Sequence, residues 1–211
     1  MKTFAAIAFT PAVRVLQQTH GSRASYARMP DELPPGGGLG AEEAAFLRSA
    51  DTAFLASVNA DGWPYVQHRG GPRGFLRVLA PDRIAFADYR GNRQFVSAGN
   101  VIGDDRVALI VMDYAQRRRL KLFGRLRFEP VEGADPALLA AVAQPDYRAR
   151  IDRVAIIEVA AFDWNCPQHI TPRFSAEETA AVVRPLQERI AQLEQEVAAL
   201  RGQHPNAGAG A

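Results

Sequence analysis

Apolar and polar residues alternate in short runs between Thr52 and Phe162, and turn residues break the runs at regular intervals. TAFLASV, the turn Asn59-Ala60-Asp61-Gly62 and WPYVQHR read as a hairpin, because Asp-Gly supplies the backbone freedom that tight hairpin turns require. GFLRVLA and RIAFADY, parted by Pro81-Asp82, read as a second hairpin, and RVALIVMDY and RLKLFGRLRFE, parted by Ala115 to Arg118, as a third. RVAIIEVAAF, Arg153 to Phe162, adds another strand. Short strands at this spacing predict an all-β barrel or sandwich. Val107 to Met112 is apolar on both faces and suits a central strand, whereas Leu120, Leu122, Leu126 and Phe128 alternate with Arg119, Lys121, Arg125 and Arg127 to give one basic face.

Helical patterns flank the strands. Thr10 to Gln18 has Thr10 as N-cap, Pro11 at the first helical position and Gly21 as a stop. Met29 to Gly40 is too rich in proline and glycine for regular structure and predicts a loop, followed by a helix over Ala41 to Ala50. Asp135 to Gln144 predicts another short helix. Leu186, Ile190, Leu193, Val197 and Leu200 form a heptad seam with β-branched residues at a and leucine at d, which favours parallel two-stranded pairing. Arg189 with Glu194, and Glu196 with Arg201, are complementary across such a pair; packing of the helix on its own domain is the alternative. Pro185 fits best as the first residue of that helix, since a proline in a helix interior costs about 3 kcal/mol. The organisation expected is an N-terminal helix and loop over 1–40, a barrel domain over 41–174, an amphipathic helix over 175–201 and a tail over 202–211 that is disordered by composition.

Composition narrows the function. A length of 211 residues with 47% hydrophobic content suits one domain with a sizeable core. Twenty-five basic against 23 acidic residues leave +2, too balanced to imply a polyanion partner, so anion binding must come from local clusters. Cys166 is the only cysteine, which excludes an internal disulfide. No apolar run approaches the roughly 20 residues that span a bilayer. Pro11 and Arg14 interrupt the apolar N-terminus, and no small-residue cleavage site clearly follows. A cytoplasmic protein without membrane association is expected.

One such cluster is FADYRGNRQFVSAGN, Phe86 to Asn100. Its strand ends near Asp88, Arg90-Gly91 turns the chain, and Asn92 is a good N-cap for a helix starting at Arg93. Free N–H groups at a helix N-terminus, together with Arg90 and Arg93, would favour a phosphate. An exposed capped turn is the alternative that local sequence leaves open. The basic face of Arg119 and Lys121 could meet the same anion across a barrel.

Three segments in this order, DGWPYVQHR (Asp61 to Arg69), FADYRGNRQFVSAGNVIGDDRVALIV (Phe86 to Val111) and RRRLKLFGRLRF (Arg117 to Phe128), resemble the FMN-binding split barrel of the pyridoxamine 5'-phosphate oxidase family. The likeness runs from about Thr52 to Phe162. It implies a mainly β fold with peripheral helices, a six-stranded antiparallel split β-barrel with a C-terminal helix, and FMN held at a homodimer interface. It also implies that Asn92 and Arg93 bind the flavin phosphate with help from Asp88, Arg90 and Gln94. Gln67, His68 and Arg69 would line the cofactor, and Arg119 and Lys121 would contact it. Gln168 and His169 would reach it from the second copy. Gln94 stands where the family usually has lysine, so Arg90 or Arg119 would have to replace that charge. The family's C-terminal substrate signature, tryptophan and glycines followed by Arg-Leu-His, is replaced by Trp164-Asn165-Cys166-Pro167-Gln168-His169. Pyridoxamine phosphate oxidation itself is therefore not expected.

Cys166 and His169 lack the second pair that a metal site of ligand spacing requires, so no metal is expected. The reading overall is an FMN-dependent oxidoreductase acting on a small molecule, the protein orienting the flavin and the flavin carrying the redox step. The alternatives are the same fold holding deazaflavin F420 or haem, a flavin binder without turnover, a purely structural dimerisation module, or a barrel binding single-stranded nucleic acid. The last would need aromatic residues interleaved with the basic stripe, and only Phe123 interrupts it.

Overall fold

Every alternating run folds as a strand, and all neighbouring strands pair antiparallel. The computed structural model describes residues 1–164 and 167–203. In chain order the elements are α1 (Phe4–Ala8), α2 (Pro11–Thr19), α3 (Arg23–Tyr26), α4 (Ala41–Ser49), β1 (Thr52–Val58), β2 (Pro64–Gly70), β3 (Arg77–Ala80), β4 (Arg83–Tyr89), α5 (Val96–Gly103), β5 (Arg106–Asp113), β6 (Arg118–Pro130), α6 (Pro136–Val142), β7 (Ile151–Trp164) and α7 (Ala176–Gln203). They divide into two units, Met1–Ile170 and the segment from Thr171 onward.

The sheet runs β2-β1-β5-β6-β7-β4-β3, seven strands where six were expected. The additional strand is β3, which pairs with β4 across Pro81-Asp82 and forms an edge. β2 and β4 stand five places apart in that order, which in a flat sheet would separate them by about 24 Å. Instead Arg69 on β2 donates from Nη1 to Asp88 Oδ1 on β4 at 2.7 Å. The sheet therefore curls until its first strand reaches its sixth, without closing into a continuous ladder, which is the split-barrel form.

The inward positions follow the period of two. Leu55, Leu109, Val111, Leu120, Leu122, Leu126 and Ile157 are buried with Phe75 and Phe86 in the barrel core. A second cluster lies where α6 places Val142 against Ala85 and Ala87 of β4 and Val154 and Ile156 of β7, so these two strands are buried on both faces. β5 is central, between β1 and β6, but its outward residues Ala108, Ile110 and Met112 are only half-buried. The basic face of β6 is largely neutralised in place, since Lys121 pairs with Asp163, Arg125 with Asp105 and Arg127 with Glu129.

α2 starts at the expected cap, Thr10, and α6, expected over Asp135 to Gln144, spans Pro136–Val142 with Asp135 as its cap, each cap followed by proline. Two helix starts differ from the sequence reading. α5 begins at Val96 and not at Arg93, because Asn92 turns its side chain onto the N–H of Gln94 (3.3 Å) and closes a local turn instead of capping a helix. α7 begins at Ala176 and carries Pro185 in its interior. Its true start is a capping box: Ser175 Oγ accepts from the Glu178 N–H at 3.1 Å, and Glu178 Oε2 accepts from the Ser175 N–H at 2.8 Å. That reciprocal pair fixes the first turn upstream of the proline. Cys166 and the tail from His204 lie outside the described residues; among those described, no helix is long and apolar enough to cross a membrane.

α4 docks through Phe46 and Leu47 and through Trp164, whose Nε1–H donates to Glu43 Oε1 at 2.8 Å. The Arg118 guanidinium lies 4.3 Å from the Trp164 ring centroid. Burial pushes the Glu43 carboxyl up, but the bonds from Trp164 and the Gly40 N–H and the charge of Arg118 more than offset this and hold it below its ordinary value. Stability from Glu43 is thus full above about pH 4.5 and lost as pH falls through the lower folded value. In Trp164→Phe, acid unfolding followed by tryptophan-independent circular dichroism is expected to begin at higher pH than in wild type. Coincident acid transitions would show that this bond contributes nothing.

Candidate functional site

The strand-to-helix crossover after β4 forms a small cleft. Arg93 and Phe95 both adopt left-handed backbone (φ 59° and 55°), a conformation that costs a bulky residue about 1–2 kcal/mol and concentrates at binding sites. Phe95 stands at the N-cap of α5 and offers no side-chain acceptor, so the first N–H groups of the helix have no side-chain cap, and Ser97 and Ala98 of that first turn line the cleft. Turns of this kind gather backbone N–H groups into a concave anion site.

β2 supplies the second wall. Gln67 and Arg69 are opposite the buried Leu55 and Ala53, and so point inward. Gln67 Oε1 accepts from the buried Ser97 hydroxyl at 2.8 Å, and Asn100 Nδ2 donates to Ser57 Oγ at 2.9 Å, which pins α5 to β2 and β1. β7 supplies the third wall. Arg153 is directly opposite Asp88 in the β4–β7 ladder, so the two side chains share a face. Asp88 is buried between two arginines: Oδ1 accepts from Arg69, while Oδ2 accepts from Arg153 Nε at 3.0 Å and from its Nη2. Arg153 also covers the rings of Phe128 (4.3 Å) and Phe95 (5.2 Å).

Asp88 thus serves two guanidinium groups, and with Arg93 and Asp152 also lining the cleft, three arginines against two carboxylates leave it net positive. Arg69 Nε and Tyr89 Oη are buried without a hydrogen-bond partner, and both residues line the cleft. Burial lowers the Arg69 pKa, with Arg153 adding to the effect and Asp88 opposing it, and burial raises that of Tyr89. The cleft volume is about 60 Å³, lined by Arg69, Gly91 to Phe95, Ser97 and Arg153 among others. That space is small and suits a phosphate-sized group.

Of the residues singled out in the sequence, Gln67, Arg69, Asp88, Asn92, Arg93 and Gln94 come together here. Arg90 does not line the cleft. Its Nε donates to both Asp152 oxygens at 3.1 and 3.2 Å, which lowers the Asp152 pKa. Arg119 and Lys121 do not meet the same anion, because they alternate with the buried Leu120 and Leu122 and therefore face outward. His68 faces outward too, edge-on to Phe54 at 5.9 Å. Of these outward residues Lys121 lines an apolar groove of about 250 Å³, whose other walls include Phe4, Phe54, Val66, Ile110 and Phe123. Gln168 and His169 follow β7, are exposed, and line neither the cleft nor this groove. Ser97, Tyr89 and Arg153 escaped the sequence reading. Only the Asp88–Arg153 register, a long-range pairing, could have revealed Arg153.

Residues 39–165, more than half of the chain, match the sequence model of the family described as pyridoxamine 5'-phosphate oxidase. No curated protein matches significantly. Among solved structures the chain is similar to tagged HupZ from Group A Streptococcus (16% identity, 63% of this chain and 98% of that one, TM-score 0.47). It is similar also to an F420 reductase (20% identity, 62% and 98%, TM-score 0.41). An FMN-binding protein from Syntrophomonas wolfei matches at 9% identity over 72% and 97% of the two chains, with a TM-score of 0.44.

Proposed function

Because the chain belongs to the pyridoxamine 5'-phosphate oxidase family, we propose that it binds FMN and acts as an oxidoreductase on a small molecule, with the flavin at a homodimer interface. The observation that carries the proposal is the Arg69 guanidinium, locked by Asp88, with a buried and unpartnered Nε in a phosphate-sized cleft. Arg93, which has no ion-pair partner among the described residues, would hold the phosphate from the opposite side, with Gln94 and the N–H groups opening α5. Arg153 and Phe95 would fix the position of Arg69 and Asp88.

With its phosphate in this small cleft, the isoalloxazine would lie beyond it. A second copy would cover the ring, and the half-buried apolar outer face of β1, β5 and β6 is suited to receive that copy. His68, Arg119 and Lys121 border this outer face and could contact a ring or a substrate there, as Gln168 and His169 of the second copy could. The flavin would supply the hydride or electron transfer, and this chain would orient it by holding its phosphate end.

FMN titration followed by flavin absorbance and fluorescence tests the reading. Arg93→Ala is expected to weaken FMN roughly 10- to 100-fold, the worth of one charge-assisted bond, while leaving riboflavin, which lacks the phosphate, unchanged. Gln94→Lys is expected to tighten FMN by adding the missing cation. A protein that takes up no FMN, or that takes up haem or deazaflavin in its place, would overturn the proposal, as would equal losses for FMN and riboflavin in Arg93→Ala.

A further inference from the structure

The helix after the barrel unit is longer than its sequence pattern alone suggested, and the extra length changes what it can do. α7 spans 28 residues, four heptads. Starting it at the Ser175 capping box extends the seam upstream, so that a positions are Ala176, Val183, Ile190 and Val197, and d positions are Thr179, Leu186, Leu193 and Leu200. Three consecutive apolar a/d pairs, Val183 with Leu186, Ile190 with Leu193 and Val197 with Leu200, reach the length at which a heptad pattern specifies a coiled coil, where the two heptads after Pro185 fall short. The apolar members from Val183 to Leu200 are 38–59% exposed, a continuous stripe left open in one copy.

We infer that this stripe is covered by α7 of a second copy of the chain, in a parallel, in-register, two-stranded coiled coil. β-branched residues at three of four a positions and leucine at three of four d positions select two parallel strands over higher orders. The flanking charges select the same partner and direction. In a parallel pair each g position faces the e position of the next heptad on the other helix, which sets Arg189 against Glu194 and Glu196 against Arg201, twice each by symmetry. Among the described residues of one chain Arg189 reaches Gln192 and, at 3.7 Å, Glu196, so it is not committed to Glu194. Pro185 falls at a c position, off the seam, and does not enter the interface.

Disulfide trapping in the full chain tests both partner and direction, in a Cys166→Ser background. Leu200→Cys, at the last d position, is expected to give a covalent dimer on mild oxidation, whereas Gln195→Cys, on the outer face of the helix, is expected to stay single-chain. In the Leu200→Cys background, Arg189→Glu should abolish the cross-link, and adding Glu194→Arg should restore it, because the swapped charges are again complementary in a parallel pair. Absence of the Leu200→Cys cross-link, a Gln195→Cys cross-link of equal yield, or indifference to Arg189→Glu would each overturn the inference. The readout does not involve flavin, so a colourless protein with an intact Leu200→Cys cross-link would sink the flavin proposal alone.

Discussion

Asp88→Ala is expected to lower the free energy of unfolding by about 3–5 kcal/mol, the usual loss when one member of a buried ion network is removed and its partners stay behind. Asp88 is 6% exposed, and among the described residues it alone pairs with Arg69 and Arg153, the first reaching it from the edge strand β2 across the curl of the sheet and the second from the neighbouring strand β7. Deleting the carboxylate leaves two half-desolvated guanidinium groups facing each other, with Arg69 already disfavoured by burial. Asp88→Asn keeps an acceptor of the same shape and should cost less, about 1–3 kcal/mol. Urea unfolding reads both as a drop in midpoint with unchanged slope. The same substitution should weaken FMN as well, since Arg69 loses the group that aims it. A loss below about 1 kcal/mol in Asp88→Ala would mean that water enters and solvates both arginines, and that Asp88 does not hold the two guanidinium groups in place.

The contrast between Asp88 and its neighbours shows what can be read from a single chain. All seven strands were visible as short apolar or alternating runs, one more than the six-stranded barrel that the family likeness implied, and the Asp-Gly and Pro-Asp turns placed their hairpins, because period and turn chemistry are local. Arg69 and Arg93 were legible as candidates for the same reason: each sits in a segment whose order resembles the family's. What stayed hidden depended on register and parity. Gln67, His68 and Arg69 are consecutive, yet a pleated strand sends His68 to the opposite face. Arg119 and Lys121 looked available to an anion until the inward direction of Leu120 and Leu122 fixed them outside. Arg153 joined the site only through its pairing with Asp88, 65 residues away. The start of α7 was readable after all, in Ser175 and Glu178, but the proline downstream is the stronger local signal and drew the boundary to itself.

Gly124→Ala is the second substitution expected to act strongly, and it does so through the curvature that assembles the cleft. The β6–β7 ladder slips between Phe123, opposite Ala161, and Gly124, opposite Val159, leaving Ala160 as the extra residue of a bulge. The bulge is in use, because the Ala160 carbonyl accepts the Lys2 N–H at 3.2 Å and so ties down the chain ahead of α1. A β-carbon on Gly124 would stand 2.5 Å from Ile157 Cγ2 and 2.7 Å from the Glu158 carbonyl oxygen. Ile157 is buried and the carbonyl is backbone, so neither can yield cheaply. Overpacking of this kind costs about 1–3 kcal/mol, and valine at the position should cost more. Because a bulge adds local twist, and it is the curl of the sheet that brings Arg69 on β2 to Asp88 on β4, relaxing the bulge is expected to loosen that ion pair and weaken FMN in parallel with stability. Denaturation midpoint and FMN affinity measured on the same Gly124→Ala preparation check the link. Wild-type stability would show that the strands can part to admit a methyl group, and lost stability with unchanged FMN affinity would separate the bulge from the cleft.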